Sequence, residues 1–415
     1  MKSQVNYSLI VLSTCFLWLS CDTESNVDPV YKDSFIKYYG IDGDQEGRDF
    51  VINNDETMVI LGTSTQNARK RLYLAKIDFD GVILWERSLG DIDRDEVALD
   101  IEPIAAGPDA GKFAVLSNVT KNLVDSIAIR LTIISQDGDS LKSILFNQLE
   151  SQKARSVTPL SDGGYFVTGK TTDTDADLNA ALLIPDEEDI LIIRFDNNLL
   201  NPQFDRIGSS SIGSGIKIFE NSSGFYYAGY SNEWNTLITD NVYDLNFTLR
   251  SFTPLGPPSG TPTAYSGTGA TVDHEEMTFI TKSISSDFYL AVGTQTLSGS
   301  GDKRLWTCAI NTDFSFGREK DIENDVEGVA VGPSSDGQFL VVGNKINAGV
   351  RDIWLGKVSN TLGLQFLGTF GGSNNDDTAS AVAELPNGDI VVLGTMELTN
   401  QKKIALIKLK ANGDF

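Results

Sequence analysis

MVILG, Met58 to Gly62, is an apolar run closed by a glycine, and the chain repeats it. FAVLS ends at Ser117, YFVTG at Gly169, FYYAG at Gly229, LAVG at Gly293, FLVVG at Gly343 and IVVLG at Gly394. The closing residues lie 55, 52, 60, 64, 50 and 51 positions apart, a spacing that fits one four-stranded antiparallel unit with its loops. Helical periodicity is missing from these units, which argues against helical solenoids. The expected body is therefore one repeat array across residues 33–415 rather than the two or three domains that length alone suggests.

Each repeat has the same internal order. A β-branched strand meets a turn such as NNDET, LSDGGY, SSDGQF or LPNGD, whose Asp/Asn-Gly chemistry tolerates positive φ and suits a hairpin. The glycine-closed strand follows, then a third strand seen as RLYLAKID, DILIIRFD, RDIWLGKVS and KKIALIKLK. A short turn leads to a fourth strand, as in LWERSLG, FDRIG and FLGTFGG. The seventh unit stops after its third strand, whereas SFIKYYGIDGDQEG from Ser34 has the form of LQFLGTFGGSNNDD from Leu364. The N-terminal segment is thus expected to supply the missing strand and close a seven-bladed β-propeller, removing the open edges of a linear stack.

GTSTQ from Gly62, the KIDFDG turn and a Trp-bearing fourth strand resemble degenerate propeller repeats of secreted and lipid-anchored proteins of Bacteroidota. At the N-terminus, Lys2 precedes an apolar stretch from Tyr7 to Ser20 that is too short for a membrane-spanning helix and ends in LWLSC. Ser20 before Cys21, with Leu17 and Leu19 upstream, resembles a lipoprotein lipobox, although Trp18 stands where that family prefers Leu. The resemblance implies a signal peptide over 1–20 and acylation of Cys21. It also implies that the protein is held at the outer membrane, facing the cell surface, since Asp22 and Glu24 resemble that phylum's surface-export signals. Residues 21–32 are polar and contain Pro29, the composition of a tether that extends to roughly 40 Å. Cys308, in the strand-like LWTCAI, is the one thiol left in the body, so no disulfide is expected there and a buried thiol is.

The 415 residues carry a net charge of −24, which repels nucleic acid and anionic lipid and leaves the lipid anchor as the expected membrane contact. The linkers DGDQE, DIDRDE, DIENDVE and NNDD place Glu46, Glu96, Asp325 and Asp377 at an expected matching position before the innermost strands, forming an acidic top face. Two D-x-D-x-D runs, Asp91, Asp93, Asp95 and Asp173, Asp175, Asp177, are calcium candidates, although neither has the glycine of an EF-hand loop. No other cofactor is expected.

His274, the only histidine, sits in VDHEEM among carboxylates and is a catalytic candidate, but no serine, cysteine or zinc motif accompanies it. Trp234, Tyr230 and Tyr243 in the loop of the fourth unit are candidates for stacking on a sugar or anchoring a protein. Three readings follow: a protein-interaction scaffold for an envelope or secreted partner, a glycan-binding accessory lipoprotein, and a channel-mouth hydrolase or lyase. The first is favoured because no nucleophile or metal motif is present.

Overall fold

The computed structural model describes residues 33–415 apart from 121–125, 149–150, 173–187, 208–212, 222–223, 232–245, 253–262, 266–272, 286, 314, 373–374 and 400. Its described residues form 28 strands in seven four-stranded antiparallel sheets, and no α-helix. The chain is a seven-bladed β-propeller. The innermost strands are Asp44–Ile52, Glu96–Pro103, Gln152–Pro159, Gly213–Asn221, His274–Lys282, Val326–Pro333 and Thr378–Glu384, in blades one to seven. Three strands at the C-terminus make most of blade seven, and the outer place is taken by Phe35–Tyr39. That closing strand pairs antiparallel with Gln401–Leu409, Phe35 opposite Lys408 and Tyr39 opposite Ile404, as the N-terminal sequence predicts.

The apolar runs are continuous because each blade is buried on both faces. Along Met58–Leu61, alternate residues point opposite ways: Met58 and Ile60 pack against blade seven, Val59 and Leu61 against blade two. Seven such clusters fill the seven blade–blade interfaces. Trp306 and Trp354 are buried in two of them. Trp85 lies between blades one and two, its indole N–H donating to the Gln136 carbonyl at 3.2 Å. Cys308 is fully buried, and burial pushes its thiol pKa far up.

The closing glycines have a definite job. In every blade the innermost strand carries a β-bulge, and the residue just before the bulge faces the closing residue of the next strand: Gly47 faces Gly62, Ala154 Gly169, Gly215 Gly229, Met277 Gly293, Gly328 Gly343 and Ala379 Gly394. A bulge turns the local backbone across its partner. A Cβ at Gly62, Gly343 or Gly394 would lie 2.5–2.6 Å from the carbonyl oxygen of Glu46, Glu327 or Thr378, and at Gly169, Gly229 and Gly293 nearer still. Only a residue without Cβ fits that approach. Blade two is the exception, with Ser117 facing Ala98 and its hydroxyl donating to Glu96 Oε1 at 2.6 Å.

The residue after the closing glycine staples blades together. The amides of Gly47 and Ala98 donate to Thr395 and Thr63 Oγ1 at 3.0 and 2.9 Å, and those of Ala154 and Ala379 to Asn118 and Asn344 Oδ1 at 3.0 and 2.9 Å. The Gly-Thr pair at 62–63 thus joins a steric requirement to an inter-blade hydrogen bond.

Removing residues 33–40 strips the outer strand from blade seven and exposes the backbone of Gln401–Leu409. The expected outcome in scanning calorimetry is loss of a single cooperative transition, together with aggregation; a truncated chain that melts like the whole one would sink ring closure. Gly293→Ala, which forces a Cβ onto the Glu276 carbonyl, is expected to cost about 1–3 kcal/mol in urea unfolding.

Candidate functional site

The innermost strands surround an axial cavity of about 510 Å³, within the range of small-molecule sites. All seven bulge residues line it: Arg48, Leu99, Arg155, Ile216, Thr278, Val329 and Ser380. Their chemistry alternates round the ring, polar in blades one, three, five and seven and aliphatic in blades two, four and six. Ser380 Oγ donates to the Gly47 carbonyl at 2.7 Å and Thr278 Oγ1 to the Gly328 carbonyl at 3.0 Å, so these hydroxyls tie neighbouring blades. Arg48 Nε donates to the Ala98 carbonyl at 3.2 Å, and Arg155 Nη2 to the Thr278 carbonyl at 2.9 Å, reaching from blade three to blade five.

Beside the arginines, Asp49 and Asp100 line the cavity with their carboxyl groups hydrogen-bonded to each other. Asp49 also accepts from the amides of Phe50 at 2.8 Å and Ile101 at 3.2 Å, and Asp100 from the amide of Val157 at 2.7 Å. Burial first, then the charge of Asp100, holds the Asp49 pKa well above the usual carboxylate range. A neighbouring carboxylate and burial both favour the protonated form of Asp49. Lys217, from blade four, reaches back to an ion pair with Glu102 of blade two, and the nearby carboxylates keep its ammonium charged despite burial. The sequence reading missed this group. A signal was present, in that a small residue, two variable ones and an apolar residue recur at the repeat spacing in GRDF, ALDI, ARSV, GIKI, GVAV and ASAV.

The four acidic linker residues do not share one position, because the register offsets them. Glu46 lines the cavity mouth. Glu96 and Asp377 do match each other, but both are buried: Glu96 faces Arg130 Nε at 3.4 Å, while Asp377 accepts from the amides of Gly372 and Glu397, each at 2.8 Å. Asp325 is an exposed turn residue with φ of 55°, a left-handed conformation that Asp tolerates. The position four residues before the bulge is the one that repeats as aspartate, at Asp44, Asp95, Asp325 and Asp376. Three of these carboxylates accept from an amide at the start of a third strand in the preceding blade: Asp44 from Lys402, Asp95 from Lys70 and Asp376 from Arg351, at 3.0–3.1 Å. Much of the linker acidity therefore serves turn and inter-blade bonding.

In the first calcium candidate, Asp91 Oδ2 is held by Arg130 at 2.6 Å and Asp95 caps Lys70, so these carboxylates turn to protein partners instead of converging with Asp93. Among the described residues no group of three metal-ligating side chains is gathered. Asp173, Asp175 and Asp177 lie outside the described residues, as do Trp234 and Tyr243. Tyr230 packs against the apolar cluster between blades four and five, and burial pushes its pKa up to about 12. His274 opens the innermost strand of blade five and is not a cavity-lining residue. Asp273 beside it accepts from the Ser298 amide at 2.9 Å, and Glu275 from Gln295 Nε2 at 2.9 Å, so the flanking carboxylates are engaged elsewhere.

Solved structures similar to this chain include the acylaminoacyl peptidase of Pyrococcus horikoshii, at 12% identity and a TM-score of 0.49 over 87% of this chain and 50% of that one. The β-propeller domain of the Trilobed protease from Pyrococcus furiosus matches at 11% identity and a TM-score of 0.47, over 91% and 96% of the two chains. Sqt1 of Chaetomium thermophilum matches at 10% identity and a TM-score of 0.47, over 89% and 96%. This chain spans about half the length of the Pyrococcus horikoshii peptidase chain. No protein-family model and no curated protein matches it.

The raised Asp49 pKa has a defined consequence. The folded protein keeps a proton that the unfolded chain releases once pH exceeds about 4, so stability is lost as pH rises from there through the raised folded value. Asp49→Asn keeps a hydrogen-bonding amide without the charge. It is expected to raise the urea midpoint at neutral pH, with the gain shrinking towards pH ~4; a variant equally destabilised at both pH values would contradict the raised pKa.

Proposed function

We propose that this protein is a cell-envelope lipoprotein, anchored at the outer membrane through an acyl chain on Cys21, whose propeller acts as a scaffold for an envelope or secreted protein. The supporting observation is the direction of the closing strand. Innermost strands start on the face formed by the inter-blade linkers, here the top, and successive strands alternate in direction. The closing strand, fourth in its blade, therefore begins at the bottom and rises from Phe35 to Tyr39. Asp33 meets Lys410 there at 2.7 Å, where the other blades have their short outer hairpins. Asp33, the first described residue of the ring, thus stands at the bottom rim, which suits docking of a partner on the opposite, top face.

That top face offers a mixed surface. Glu46 and Glu327 stand at the cavity mouth, and Glu276 occupies the same register position in blade five and is exposed. Lys303, Glu327, Arg351 and Asp376 form a chain of ion pairs at 2.5, 2.9 and 3.5 Å. Surface pairs of this kind add little stability, but they pattern charge for steering and specificity. A partner with a basic docking surface fits this mouth and the net charge of −24.

Cys21→Ser is expected to shift the protein from the membrane to the soluble fraction. Co-purification from native membranes with mass spectrometry is expected to identify a partner that the Glu46→Lys/Glu276→Lys variant loses. A partner retained by that variant, but lost on reversing charge at bottom-face Asp336, would overturn the orientation.

A further inference from the structure

Two of the three cavity arginines, Arg48 and Arg155, have no matching acid among the described residues. Among the described residues each guanidinium bonds a backbone carbonyl and makes no ion pair, and both side chains are open to the cavity. They are close enough that the charge of Arg48 acts against that of Arg155. Elsewhere on the wall Lys217 pairs with Glu102 and Arg351 with Glu327, while Lys402 at the rim is a further cation with no ion pair among the described residues. Two like charges facing one cavity repel each other and together attract an anion.

Nearby carboxylates do not fill this role. Asp49 and Asp100 are turned to each other and to the amides of Ile101 and Val157, and they act on Arg155 only over a longer range. The other paired carboxylates of the wall face other cations, Glu327 pairing with Lys303 and Arg351 and Asp376 with Arg351.

The rest of the wall sets the character of a ligand. Leu99 stands on the blade between the two arginines, and Ile216, Phe279 and Val329 supply apolar surface further round the ring. A guanidinium pair beside such surface suits a carboxylate or sulfonate carried on an apolar body, because the fork of each arginine donates to two oxygens at once while the body leaves water. We propose that the axial cavity is a binding site for a small amphipathic organic anion, with Arg48 and Arg155 clasping its acidic group and Leu99, Ile216 and Phe279 contacting its apolar part. This site is separate from docking of a protein on the top face, and either reading stands without the other.

The test uses the intact protein and 2-naphthoate as probe, with its neutral amide, 2-naphthamide, as control, followed by isothermal titration. The expected result is one-to-one binding of the acid and at least about tenfold weaker binding of the amide. Arg48→Gln/Arg155→Gln is expected to weaken 2-naphthoate by at least about tenfold while leaving the thermal midpoint unchanged or higher, since it removes a repulsion. Arg48→Lys/Arg155→Lys, which keeps the charge and loses the fork, is expected to bind between the two. Equal binding of acid and amide, undiminished binding by the double glutamine variant, or no saturable binding of 2-naphthoate at millimolar concentration would each overturn the site. A glutamine variant that fails to fold would contradict the repulsion on which the proposal rests, and the lysine variant then reads the charge requirement.

Discussion

The close passage of the innermost strand's bulge over the glycine beside it, in six of the seven blades, is the constraint on which the molecule depends. Seven sheets can converge on one axis only if their inner edges approach closely, and the bulge turns a carbonyl to within reach of the neighbouring strand at the point where a Cβ would otherwise stand. The same displacement ejects one residue per blade from the ladder. Those seven residues have no partner in register, and all of them face the cavity. Packing and site are thus products of one backbone irregularity: the glycine permits it, and the side chain beside it lines the channel.

Hydrogen bonding then fixes the blades relative to one another. The hydroxyl or amide after the glycine takes an amide of the next blade, and an aspartate four residues before the bulge caps a strand of the preceding one. Both are short polar groups acting on backbone donors that would otherwise be left unpaired at blade boundaries. The acidity of the linkers follows largely from this arrangement, and electrostatic steering operates with the carboxylates that remain at the mouth.

Charge inside the ring behaves differently from charge on the rim. A carboxyl pair, a lysine–glutamate pair and two arginines share a space in which burial favours neutral or paired groups. Asp49 meets that demand by favouring its protonated form, and the lysine by crossing blade three to reach its partner. Among the described residues Arg48 and Arg155 bond to carbonyl oxygens, which accept a hydrogen bond without cancelling the charge.

Much of the fold was legible in the sequence, because blade number, strand order and ring closure are written in local signals: an apolar run buried on both faces, a glycine that a close approach demands, and an N-terminal segment shaped like a fourth strand. These act over a few residues and repeat along the chain, so position in the sequence is enough to read them. The cavity was not legible. Arg48 and Arg155 are separated by two blades' worth of chain, and no local pattern marks them as neighbours. The acidic linkers also suggest that Glu96 and Asp377 lie on a surface, whereas the strand register buries them against Arg130 and the amides of Gly372 and Glu397. The sequence by itself determined that seven units close into a ring. Which side chains meet at the axis was decided only by the tertiary structure, since that meeting depends on the bulge register and on curvature summed over all seven blades.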